Sequence, residues 1–138
     1  MKRLFLSLMV VLISSNLFGL DLEVKRASQK ALKEKKLVLF TVESENCSYC
    51  KKMEKDVFTV KTVMNKINKQ YVRVKIMAGS EPIPSFLTVQ YFPTNFVLDP
   101  ESLKIIDEYP GYMRAKDFIE ILDEIYKQES KQTSFHKS

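Results

Sequence analysis

The chain has 138 residues, of which 45% are hydrophobic and 28% charged, with three Gly and five Pro; this composition excludes collagen-like and low-complexity architectures and fits one globular domain. Two Cys and a single His are too few for a four-ligand zinc site of Cys and His. The formal charge of +5 comes from 22 basic and 17 acidic side chains. The basic ones are scattered without interleaved aromatics, which leaves nucleic-acid binding without support.

At the N-terminus Lys2 and Arg3 precede an apolar run from Leu4 to Ile13, followed by the polar Ser14, Ser15 and Asn16. A basic start, a short apolar stretch and a polar region are the pattern of a secretory signal. A bilayer-spanning helix needs about 20 apolar residues, a length reached here only by including the polar trio, so an uncleaved anchor is the alternative. The expected division is a signal over 1–19, cleaved after Gly19, a folded domain over 20–128 and a polar tail over 129–138. Export would place the chain in an oxidising compartment, where a Cys pair persists as a disulfide.

Beyond the signal, Val24, Ala27, Ala31 and Leu32 recur at helical spacing within Glu23 to Lys36. Leu37 to Val42 is a continuous apolar run, the mark of a strand buried on both faces. Cys50, Met53 and Val57 share one face of the next helix, and Val63, Met64 and Ile67 one face of another over Val60 to Lys69. Tyr71 to Ile76 alternates with period two, and Arg73 and Lys75 mark one of its faces as wet, near a sheet edge. Gly79 to Pro84 is a loop, and Ser85 to Tyr91 is long enough for a short helix. Asn95 to Leu98 and Lys104 to Ile106 form a hairpin across Asp99-Pro100-Glu101-Ser102, ended by Pro110-Gly111. Phe118, Ile119, Leu122 and Ile125 stripe a final helix before a frayed tail from Gln128. These elements predict an α/β sandwich, a mixed sheet with helices on both faces.

The chemistry concentrates at Cys47-Ser48-Tyr49-Cys50. Two cysteines at this spacing on the first turn of a helix bring their sulfurs within bonding range, and the free N–H groups there stabilise a thiolate at Cys47. Lys51 and Lys52 add positive charge. Cys47 would attack a partner disulfide, and Cys50, one turn deeper, would resolve the mixed disulfide. A purely stabilising disulfide, or half of an intermolecular zinc site, are the other readings, although so short a loop constrains the unfolded chain little.

A buried strand running into Cys-x-x-Cys at a helix start, then Phe92-Pro93-Thr94 before a hairpin and a closing helix, resembles the thioredoxin-like superfamily over roughly Glu23 to Lys127. More narrowly, Cys47-Ser48-Tyr49-Cys50-Lys51-Lys52-Met53-Glu54, Val57-Phe58 and Gly111-Tyr112 are similar to exported bacterial thioredoxin-like proteins of the SoxW type. The resemblance implies a thioredoxin-like fold with a mixed four-stranded sheet and a periplasmic thiol-disulfide oxidoreductase. Cys47 and Cys50 would be catalytic, and Tyr49, Phe92, Pro93 and Thr94 would bind substrate, with Pro93 as the family's cis-proline. The Cys pair carries the electrons, so neither organic cofactor nor metal is expected. A monomer is expected too, acting on protein thiols or disulfides and recharged by a membrane electron donor of the DsbD or CcdA kind. An oxidase, an isomerase and a non-catalytic peptide-binding module are the competing readings.

The sequence departs from thioredoxins at three places. Asn46 stands where they have Trp, Ser48-Tyr49 replaces Gly-Pro, and Thr41 occupies the place of their buried Asp. Glu43 or Glu45 would replace that acid, or both are solvated loop residues. His136 lies in the polar tail, and the Met residues read as core or interface filler rather than copper ligands. Phe92 reads equally as part of a docking patch and as a core residue.

Overall fold

The computed structural model describes residues 15–132, with side chains from residue 22 onward. The apolar run expected as an export signal lies outside the described residues, as does His136. The expected cleavage point after Gly19 falls inside the first described helix, α1 (Ser15–Glu34). No helix among the described residues is long and apolar enough to cross a membrane.

Four strands, β1 (Leu37–Ser44), β2 (Tyr71–Ala78), β3 (Thr94–Leu98) and β4 (Ile105–Pro110), form one mixed sheet in the order β2-β1-β3-β4. β1 is parallel to β2, and β3 is antiparallel to both β1 and β4. The parallel pair requires a crossover, which is built from α2 (Ser48–Met53), a π-helical turn (Glu54–Phe58) and α3 (Lys61–Gln70). A last helix, α4 (Ala115–Gln132), closes the fold.

β1 is apolar throughout because both of its faces are covered. Val38, Phe40 and Val42 pack with Val24, Ala27 and Ala31 of α1, Val74 and Ile76 of β2, and Phe96 and Leu98 of β3. Leu37 and Leu39 point the other way, onto Met53, Val57, Phe58, Ile67, Phe118 and Leu122. Each fully buried Leu or Phe contributes roughly 1.5–3 kcal/mol from apolar burial, so this central strand anchors two cores at once. Phe118 stacks edge-on against Phe58 at 5.9 Å and thereby joins α4 to the π-helical turn.

Two expectations are corrected. Ser85 to Tyr91 forms no helix beyond a single turn closed by Leu87 N–H on the Pro84 carbonyl. Leu87 and Val89, two residues apart, pack on the same core, and that is an extended spacing. The final helix continues through Gln132, into the segment expected to fray. Side-chain bonds one turn apart, Gln128 to Glu124 at 2.9 Å and Lys127 to Asp123 at 2.6 Å, support its polar end.

The hairpin turn is organised by Asp99. Its Oδ1 accepts from the Glu101 N–H at 3.1 Å and from the Ser102 N–H and hydroxyl at 2.7 Å each, as an aspartate does in a turn. β2 lies at a sheet edge, as expected. Its second face is less wet than its charges suggest, because the guanidinium of Arg73 lies under the crossover, 3.5 Å from the centre of the Phe58 ring.

Candidate redox site

β1 ends at Ser44, and three residues later Cys47 caps α2 in an extended conformation, with φ −98° and ψ 107°. Its sulfur accepts the Cys50 N–H at 3.1 Å. The same two residues are joined by a disulfide with Cα atoms 5.2 Å apart, a normal span for such a bond. Cys50 is 2% exposed and Cys47 half-buried, so a partner reaches Cys47 first. Tyr49 between them is 61% exposed. Among the described residues no group of three or more His, Cys, Asp or Glu is placed to hold a metal ion.

The positive charge expected around the pair is smaller than its two lysines suggest. Lys52 bonds Asp56 at 2.6 Å and lies over the Tyr112 ring, while the Tyr112 hydroxyl donates to the same carboxylate. Hydrogen bonding to Asp56 raises the Lys52 pKa. Its ammonium is therefore paired with Asp56, and the polarity at Cys47 is left to the helix N–H groups and the exposed Lys51.

The Phe92–Pro93 peptide bond is cis. Pro93 is buried and its carbonyl accepts the Gly111 N–H at 2.6 Å. Gly111 has φ +87°, a left-handed conformation that glycine adopts without a side-chain penalty. Thr94 is 3% exposed, donates its hydroxyl to the Tyr91 carbonyl at 2.6 Å and pairs in register with Val42. That register places the Phe92-Pro93-Thr94 loop at the end of the sheet from which β1 leads to Cys47. Phe92 is half-buried and packs against the α1-side core. A cavity of about 170 Å³ opens beside the loop between Thr88, Gln90, Tyr91, Thr94, Glu108 and Pro110. Tyr91, 64% exposed, was not singled out by the sequence; its position next to Phe92-Pro93 was the available signal.

Beneath α2, Thr41 is fully buried and donates to Asn95 Oδ1 at 2.9 Å, while Asn95 Nδ2 contacts the Met53 sulfur at 3.5 Å. The two acids suggested for this region part ways. Glu45 is exposed and accepts the Ser80 hydroxyl at 2.6 Å. Glu43 is 3% exposed, with Oε1 lacking a hydrogen bond. Arg73 and Lys75 stand 3.8 and 3.9 Å from its oxygens but bond Glu54 at 2.7 and 3.1 Å. Burial, and then the neighbouring Glu54 carboxylate, push the Glu43 pKa up to about 7. Glu54 also suffers from burial, yet the hydrogen bond from Arg73 holds its pKa below the usual carboxylate value. The roles of Arg73 and Glu54 were missed, since neither stands out without knowing that the crossover covers this face.

The geometry has counterparts among known proteins. No curated protein sequence matches the chain. A thioredoxin from Thermus thermophilus superposes with a TM-score of 0.60 at 18% identity, over 82% of this chain and 92% of that one. The periplasmic thioredoxin SoxS from Paracoccus pantotrophus, in its reduced form, gives 0.51 at 18% identity over 67% and 98%. The reduced C-terminal domain of DsbD from Neisseria meningitidis gives 0.54 at 20% identity over 75% and 95%. At these identities the likeness is one of fold. The model of the thioredoxin-like domain family matches residues 22–126, most of the chain, and with the Cys-x-x-Cys disulfide at the start of α2 this establishes that the chain belongs to the thioredoxin-like family.

Proposed function

We propose that the protein is an exported thiol-disulfide oxidoreductase that reduces protein disulfides. The observation that carries this reading is the asymmetry of the Cys pair, with Cys47 half-buried at the helix start and its sulfur on the Cys50 N–H, and Cys50 buried one turn deeper. In the reduced state the Cys47 thiolate attacks a substrate sulfur and forms a mixed disulfide as the substrate's other sulfur leaves. Cys50 then loses its proton and attacks Cys47, which restores the Cys47–Cys50 bond and frees the second substrate thiol. The Phe92-Pro93-Thr94 loop, together with Tyr49, is the surface on which the substrate chain would lie.

Export is supported by the basic and apolar pattern over 1–19, and by the likeness in fold to a periplasmic thioredoxin and to a DsbD domain. In that compartment a reductase needs recharging, and a membrane donor of the DsbD or CcdA kind would supply the electrons. The test is reduction of a model protein disulfide by the purified protein with a dithiol donor. Cys47→Ser should abolish turnover, and Cys50→Ser should accumulate mixed disulfides through Cys47. Full turnover by Cys47→Ser would sink the assignment.

A further inference from the structure

β2 forms one edge of the sheet and pairs only with β1. Its last residue is closed off by the bridge from Ala78 to Glu81, so among the described residues no strand lies beside the outward backbone groups from Tyr71 to Ile76. Such a row of N–H and C=O groups is a template for another extended chain. The edge runs along the floor of a groove of about 440 Å³, with Lys30 of α1 on one wall and Met64 and Asn68 of α3 on the other. Lys36, Arg73 and Lys75 also line this groove, and no carboxylate does. The acids that pair with these cations, Glu34 with Lys36 and Glu54 with Arg73 and Lys75, lie outside the lining. The charges on the strand also follow its period. Arg73 and Lys75, two residues apart, share the face covered by the crossover, where both bond Glu54. Val72 and Val74, interleaved with them, face the α1-side core.

We infer that this edge binds an extended acidic segment of a partner protein, which joins the sheet as an added strand beside β2. A segment with a carboxylate at every second position would set its acids beside Arg73 and Lys75, and its intervening small apolar side chains beside Val72 and Val74. Lys30 and Lys36 would draw the segment into the groove. Main-chain bonds give such a contact its affinity, and the alternate side chains give it specificity. A second copy of this chain fits the edge poorly. Two antiparallel β2 strands would set Arg73 and Lys75 of the copies against one another, and like charges directly opposite are destabilising. The other open edge, β4, carries Asp107 and Glu108 at adjacent positions, which a strand directs to opposite faces. The inference is independent of the exchange reading, since neither cysteine lines the groove.

The experiment titrates the full chain into a labelled peptide of alternating Glu and Val, read by fluorescence anisotropy, with amide hydrogen exchange recorded across β2. The peptide should bind, less tightly as salt rises, and should slow exchange between Tyr71 and Ile76. A Lys-and-Val peptide of the same length should bind at least roughly tenfold more weakly, and so should the acidic peptide N-methylated at every amide. Lys30→Glu, at an exposed position on the groove wall, should weaken binding by about tenfold at low salt. Lys116→Glu makes the same charge change on α4, outside the groove, and should bind like the wild type; thermal unfolding of both variants verifies that they fold. Equal binding of the acidic and basic peptides, unchanged exchange along β2, or undiminished affinity in folded Lys30→Glu would overturn the inference. So would full affinity of the N-methylated peptide, a single-stranded oligonucleotide that displaces the peptide and binds more tightly, or a dimer of the free chain that itself protects β2.

Discussion

The Cys50 N–H donates to the Cys47 sulfur across 3.1 Å, so the atom that would carry the thiolate already has a donor aimed at it. A thiolate accepts such a bond more strongly than a thiol, which lowers the Cys47 pKa below the ordinary value of about 8.5. Lys52 adds little, being held by Asp56. Alkylation of the reduced protein, followed against pH, should therefore give a Cys47 pKa below the ordinary thiol value, with Cys50 protected by its burial. Equal reactivity of the two thiols with an unshifted pKa would contradict the asymmetry.

Gly111 holds the Pro93 loop through its N–H and does so with a positive φ. A Cβ built there meets nothing within 4 Å, so Gly111→Ala tests backbone conformation without a clash. It should destabilise the fold by roughly 1–2 kcal/mol in urea unfolding, and weaken protein-disulfide reduction more than reduction by a small thiol. An unchanged urea midpoint would show that the loop does not depend on this conformation.

Glu43 gives stability a definite pH dependence. Its folded pKa, about 7, exceeds the unfolded value near 4.3. Its contribution is fully present below the unfolded value and is lost as pH rises through about 7. Glu54 has the opposite sign, since its lowered pKa adds stability above the unfolded value that is lost only as pH falls further into acid. Between pH 5 and pH 8 the wild type should therefore lose stability relative to Glu43→Gln, measured as the shift in urea midpoint of each. Parallel shifts in the two proteins would show that Glu43 ionises freely in the fold.

The sequence makes β1 and the Cys pair legible for physical reasons. Leu37 to Val42 must be buried on both faces, and Cys50, Met53 and Val57 recur on one helical face, which the structure buries. The spacing does not reveal that the helix widens into a π-turn at Glu54, since the apolar positions stay on the same side. Ser85 to Tyr91 misleads because its length suits a helix while Leu87 and Val89 obey an extended period. Arg73 misleads for a different reason: charge on a strand reads as solvent exposure, whereas here Glu54 and the Phe58 ring cover the guanidinium. Glu43 and Glu45, alike in sequence, are separated because Glu43 lies within β1 under the crossover, whereas Glu45 lies past the end of the strand at Ser44.

The reduction potential of the Cys47/Cys50 couple tests the proposed reductase most directly. The helix N–H groups favour the thiolate, Lys52 is committed elsewhere and no His stands in the motif, a balance that belongs with thioredoxin rather than with the very acidic thiol of DsbA. Equilibration with glutathione at pH 7 should give a potential of roughly −200 to −270 mV. A value near about −120 mV, the potential of DsbA, would make the protein an oxidant and contradict the account.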